Sequence, residues 1–184
     1  MRRLMPAFLV MAMFSLSIIV PPLRAEQSSA KPAESVEIPL NPLPFVLKGS
    51  LRRSDGEDPF PAVIPLAACG YVAGSVDQVW GEALLSWGFV TMTLDVFTPR
   101  SIAGRKTCIS PAPLELAEHV YRALNVLAAR KYMDPKHVFV IGFGRSTSLV
   151  FAAIERDGTE RTAKRRFRGA VAFYPAGCGA VRGP

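Results

Sequence analysis

The chain has 184 residues, 49% of them hydrophobic and 20% charged, with a formal net charge of +7. That balance excludes a disordered polyelectrolyte, and the length suits one domain of roughly 100–200 residues with a sizeable core. Much of the positive excess lies in one run, Arg161, Lys164, Arg165, Arg166 and Arg168, between two apolar segments. Without interleaved aromatic residues or a nucleic-acid motif it reads as a solvated loop, so no nucleic-acid partner is expected.

In chain order, Arg2 and Arg3 precede an uncharged, largely apolar run from Leu4 to Val20 that Pro21 and Pro22 close. These are the parts of a secretory signal over residues 1–25. Ala25 is small enough to precede cleavage, although Leu23 is larger than the usual residue at its place. The run is shorter than the roughly 20 residues a spanning helix needs. Export, to the periplasm or beyond, is therefore expected, with an uncleaved anchor as the alternative. Cleavage removes Arg2, Arg3 and Arg24 and no acid, which lowers the charge from +7 to +4 and leaves no transmembrane segment.

Residues 26–44, rich in Ser, Pro, Ala and Glu, read as a flexible lead-in, and the fold is expected to begin near Phe45. From there short apolar runs alternate with helical patterns, the signature of a mostly parallel sheet with helices on both faces. Strands are predicted at Phe45 to Leu51 and Ala62 to Leu66, followed by a loop from Ala67 to Ser75. Val76, Val79, Trp80, Ala83, Leu84 and Trp87 share one face of a helix that Gly88 ends. A strand at Phe89 to Leu94 leads into a long loop, Asp95 to Pro113. The helix from Leu114 to Lys131 lines up Leu116, Val120, Ala123, Leu124 and Leu127. Asp134 and Pro135 turn the chain into a buried strand, Val138 to Ile141. A helix from Ser146 to Ile154 and a strand from Ala170 to Tyr174 complete the pattern, and the open edge of that last strand is expected to make the chain aggregate or take a partner chain over it.

The unit expected to carry chemistry is "VFVIGFGRSTSLVFAA", a strand, a sharp turn and a helix. A G-x-S-x-G elbow presents its nucleophile at such a turn. Gly142 matches the first glycine, and Gly144 stands where the serine or cysteine belongs. Glycine adopts the strained backbone of that position without steric cost. Ser146 is expected on the first helical turn, away from the apex, as a helix cap and not a nucleophile.

Four stretches, "PFPAVIPLAACG", "WGFVTMTLDVFTPR", "DPKHVFVIGFG" and "FRGAVAFYPAGCG", resemble successive landmarks of the dienelactone hydrolase family, in family order. Tyr174, Pro175 and Cys178 match the family's stretch after the strand that follows the nucleophile helix. The resemblance covers roughly residues 45–180. It implies an α/β-hydrolase fold and a nucleophile–His–Asp triad that hydrolyses esters or lactones. Three departures accompany it. Ala67 and Ala68 stand where the family has His-Gly, Gly144 replaces the nucleophile, and the acid and base come in family order after later strands. Residues 45–184 therefore read as an incomplete α/β-hydrolase domain lacking the last strands, inactive as this chain.

An alternative is an exported, non-catalytic module. The backbone N–H groups of Arg145 and of the Cys69 and Gly70 region would form an oxyanion-type pocket for an anion or a small ester or lactone. No cofactor is implied. His119, within a helix, and His137, at a strand entrance, lack ligands at metal spacing and read as surface or boundary residues. Asp95 and Arg100 fall on the ligand-facing rim of the sheet, where a local ion pair would order the loop. Of Cys69, Cys108 and Cys178, the first two are the expected disulfide partners in an exported protein.

Overall fold

The structure, a computed structural model, describes residues 32–68, 73–97, 113–155 and 164–175. The leader and its cleavage point lie outside them, as do Cys69, Gly70, Arg100, Cys108, Arg161 and Cys178.

Strands β1 (Glu34–Pro39), β2 (Val46–Arg52), β3 (Phe60–Leu66), β4 (Val90–Asp95), β5 (Met133–Phe143) and β6 (Gly169–Phe173) form one sheet in the order β1-β2-β4-β3-β5-β6. The pairs β3/β4, β3/β5 and β5/β6 are parallel, while β1 and β2 join antiparallel at the β4 side. Because β3 lies between two parallel neighbours and under helices, its sequence is almost continuously apolar and buried. Alternation divides its side chains: Ala62, Ile64 and Leu66 join the main core, and Val63 joins a second cluster on the other face.

The main core lies under α3 (Pro113–Ala128) and α4 (Thr147–Ile154). Leu116, Val120, Ala123, Leu124 and Leu127 of α3 are all buried, as their spacing predicts. The buried arc is wider than that stripe, because α3 also packs against α4, where the Tyr121 hydroxyl donates to the Ala153 carbonyl at 2.6 Å. His119 falls inside this wider arc. It is 3% exposed, not the surface or boundary residue expected.

The helix after β3 runs through α1 (Ala73–Val76), a π-helical stretch (Asp77–Gly81) and α2 (Glu82–Ser86). Its buried residues are Asp77, Gly81 and Leu84, while Val79 and Trp87 are each 65% exposed, against the predicted apolar face. The physical reason is a polar anchor. Asp77 accepts hydrogen bonds from Ser50 Oγ at 3.0 Å, from Arg52 Nε at 3.0 Å and Nη2 at 2.8 Å, and from Thr93 Oγ1 at 3.1 Å. The Asp77 hydrogen bond in turn holds the Arg52 guanidinium above its ordinary pKa. A buried carboxylate must be paired, so this network decides which side of the helix meets the sheet.

Two boundaries differ from expectation. Strand β5 starts at Met133, which pairs with Phe60, and the Asp134–Pro135 turn sits inside it as a register shift before Val138 pairs with Ala62. There Asp134 accepts from the Lys136 N–H at 2.9 Å and pairs with His137 Nδ1 at 2.6 Å. Those contacts, the His137 bond first, hold the Asp134 carboxyl below its usual range. The second difference is β1, which lies within the stretch read as a flexible lead-in. Val36 and Ile38 alternate inward along β1, with Leu40 just beyond it, and all three are buried. Ile38 is 2% exposed, so Ile38→Ala is expected to cost about 2–4 kcal/mol by cavity formation. Urea denaturation measures this; an unchanged midpoint would mean that residues 34–39 do not belong to the cooperative fold.

Candidate functional site

Strand β5 ends at Phe143, and the chain turns at once through a short 3-10 segment (Gly144–Ser146) into α4. The first requirement of such a turn is room. A Cβ on Gly142 would lie 2.6 Å from Val150 Cγ2 and 2.9 Å from the Ser146 carbonyl oxygen, so the strand and the returning helix touch through a glycine. The second requirement is backbone conformation. Gly144 has φ +55, in the left-handed region, while a Cβ there would meet nothing within 4 Å. Position 144 is thus the apex of an elbow, projecting into open space, and it carries no side chain.

Three successive hydroxyls hold the turn. Ser146 Oγ reaches the Phe143 carbonyl at 3.0 Å, Thr147 Oγ1 the Gly144 carbonyl at 2.6 Å, and Ser148 Oγ the Arg145 carbonyl at 2.9 Å, each three residues back. This local back-bonding is characteristic of Ser and Thr beside a helix start. Ser146 does more: its Oγ accepts the Phe143 N–H at 2.7 Å and lies 3.2 Å from the Leu66 carbonyl at the end of β3. The expected cap is displaced by one element: Ser146 makes no side-chain cap bond for α4 itself, and its Oγ instead takes the N–H of Phe143, the N-cap of the 3-10 segment, while facing the sheet. At 0% exposure, it is also removed from any ligand above the apex.

Of the oxyanion-type donors named from sequence, Arg145 lies in the first turn, where helical N–H groups have no intrahelical partner. Cys69 and Gly70 fall outside the described residues. Ala67, which precedes them, spends its N–H on the Leu94 carbonyl at 2.9 Å. Beside the elbow, Phe143 stacks on Phe173 with centroids 5.5 Å apart, and Trp80 packs on both at 5.2 and 5.0 Å. The sequence reading missed this aromatic cluster, because its members come from three separate elements. It closes the sheet face next to the turn.

The other candidates lie elsewhere. His137 lies near the middle of β5, six residues before Phe143, and is paired with Asp134, and the His119 side chain is enclosed in the main core. Asp95, at the end of β4, accepts from the Phe97 N–H at 3.1 Å and lines a cleft of ≈ 260 Å³ with Lys48, Ser50, Gly74 and Thr93. That cleft belongs to the β2/β4 side of the sheet. Among the described residues, no group of three or more His, Cys, Asp or Glu could hold a metal, and no helix is long and apolar enough to cross a membrane.

A mostly parallel sheet of this order, with a left-handed elbow between β5 and the following helix, is an α/β-hydrolase fold, present in part. No protein-family model and no curated protein matches the sequence. Solved structures do. The α/β-hydrolase GrgF from Penicillium sp. sh18 matches with a TM-score of 0.62 at 17% identity over 79% of this chain and 46% of its own. The esterase Est22 matches with a TM-score of 0.61 at 18% identity over 82% of this chain and 46% of its own. DcsB, solved with a substrate analogue, matches with a TM-score of 0.55 at 23% identity over 72% and 43%. The chain therefore spans less than half the length of these structures, and at such identities the likeness is one of fold.

The two glycines of the elbow are required for different reasons, which stability measurements separate. Gly142→Ala forces a methyl group against Val150 and backbone, an overpacking cost of about 3 kcal/mol. Gly144→Ala meets no atoms and pays only for its left-handed backbone, about 1 kcal/mol. Equal losses in thermal melts of the two variants would contradict the geometry.

Proposed function

We propose that this chain is a dienelactone-hydrolase-like protein whose elbow receives the carbonyl or carboxylate oxygen of an ester- or lactone-type ligand without turning it over. The observation that carries this reading is the apex itself: the backbone of a nucleophile elbow is present, and Gly144 supplies nothing to attack with. Covalent acyl transfer needs Ser or Cys at the apex and a base beside it. Ser146 is buried and engaged with backbone groups. The sequence has two histidines; His119 is enclosed in the core, and His137, six residues before Phe143 on β5, is paired with Asp134. What persists is the first-turn N–H of Arg145, a donor suited to an oxyanion or a polarised carbonyl. The four sequence landmarks support the dienelactone hydrolase type, and the solved neighbours support the wider α/β-hydrolase class.

The assay follows release from an activated aryl ester and from a dienelactone. No release above buffer is expected for the unsubstituted chain, for Ser146→Ala or for Gly144→Ser, since a restored serine has no histidine to activate it. Turnover that disappears in Ser146→Ala would overturn the reading and make Ser146 the nucleophile.

Export belongs to the same proposal. The charged start, apolar run and Ala25 support cleavage there, so protein recovered from the periplasm is expected to begin near Glu26. An intact mass retaining residues 1–25 would contradict export with cleavage.

A further inference from the structure

We propose that Ser146 is a positioning residue, whose hydroxyl joins the end of β5 to the end of β3 and so fixes the elbow's backbone donors relative to the segment leaving β3. The inference rests on the reading of the elbow as an oxygen-binding turn. The last cross-strand register between β3 and β5 pairs Leu66 with Gly142. One residue further the strands must part, because β5 turns toward α4 while the chain after β3 heads for α1. At that point the Phe143 N–H donates to Ser146 Oγ at 2.7 Å, and the same oxygen stands 3.2 Å from the Leu66 carbonyl. The hydroxyl stands in for a direct backbone rung, accepting from one strand and donating to the other. Its single proton is shared with the Phe143 carbonyl at 3.0 Å.

This arrangement uses properties that neither alanine nor glycine has. Alanine keeps the volume but leaves a buried N–H and a buried carbonyl without this partner, and glycine leaves a gap that a water would have to fill. The segment leaving β3 is then pinned on two sides. Ala67 N–H is held by the Leu94 carbonyl of β4 at 2.9 Å, and the Leu66 carbonyl faces the elbow through Ser146. Ala68 follows directly on these two pinned residues. Backbone donors for one oxygen must be held to roughly 0.5 Å, and Ser146 is the side chain at 0% exposure that spans the two segments.

A thiol placed at the apex reports on those donors. In Gly144→Cys the new side chain enters open space, and tryptic cleavage after Lys136 and Arg145 isolates it in peptide 137–145, away from Cys69, Cys108 and Cys178. The rate of iodoacetamide alkylation of that peptide, followed by mass spectrometry across pH, gives the titration midpoint. With Ser146 present, the midpoint is expected about one pH unit below the usual thiol value of about 8.5, or roughly tenfold more thiolate at a given pH. Adding Ser146→Ala is expected to return it to about 8.5, and Ser146→Thr, which retains the hydroxyl, to lower it again. A midpoint equally low with and without Ser146 overturns the positioning role and leaves the oxygen-binding reading standing. A midpoint of about 8.5 in Gly144→Cys alone overturns that reading instead. A second measurement on the unsubstituted chain does not depend on the variants folding: amide hydrogen exchange of Phe143 is expected to be as slow as that of the β5 ladder amides. Exchange as fast as an open loop amide overturns the bridge.

Discussion

Everything at the candidate site depends on how closely β5 and α4 approach each other at Gly142. A parallel strand can hand over to a helix that packs back on the sheet only by a sharp turn, and here the turn is so tight that even a methyl group on Gly142 would collide with Val150 and the Ser146 carbonyl. The left-handed backbone at Gly144 follows from the same geometry, since the chain must reverse between an extended Phe143 and a helical Thr147. The hydroxyls of Ser146, Thr147 and Ser148 add bonds to the Phe143, Gly144 and Arg145 carbonyls across the turn. The elbow is thus maintained by packing and hydrogen bonding that do not involve a nucleophile, which is why its shape is compatible with glycine at the apex.

The sheet face carrying the first helix is chemically divided. On its β2/β4 side, Ser50, Arg52 and Thr93 converge on Asp77 in a polar network. On its β3/β5/β6 side, Val63, Ile141, Phe139, Phe143 and Phe173 form an apolar field, with Trp80 reaching over it from the helix. One helix serves both halves. Its π-helical stretch starts at the carboxylate and contains the tryptophan. An extra residue in the turn, which a π segment provides, lets Asp77 and Trp80 face different partners. The elbow opens beside the apolar half, and the ≈ 260 Å³ cleft belongs to the polar half.

Much of this fold was legible in the sequence, and the reasons differ by element. The period-3.6 apolar stripe of α3 and the continuous apolar runs of β3 and of Val138 to Ile141 in β5 announce themselves because burial on one stripe or on both faces leaves a strong pattern. Strand β1 was hidden. Its alternation of Val36 and Ile38 spans only a few residues between prolines and serines, and it becomes a strand because β2 offers an edge to pair with. The first helix was misread for a related reason: hydrophobic periodicity ranks apolar faces, and a buried aspartate held by an arginine from another strand reverses that ranking.

For the site, the sequence by itself determined that a strand, a tight turn and a helix occur at 138–154 and that position 144 has no nucleophilic side chain. Both are local properties, read from residue identity and the steric freedom of glycine. The tertiary structure decided what surrounds that turn. Ser146 looks like a helix cap in sequence because hydroxyls before a helix usually are; it faces the sheet because β3 ends beside it and presents the Leu66 carbonyl from 80 positions earlier in the chain. His119 and the Trp80, Phe143 and Phe173 cluster follow the same logic. Such contacts join residues far apart along the chain, and only packing of the strands into one sheet brings them together.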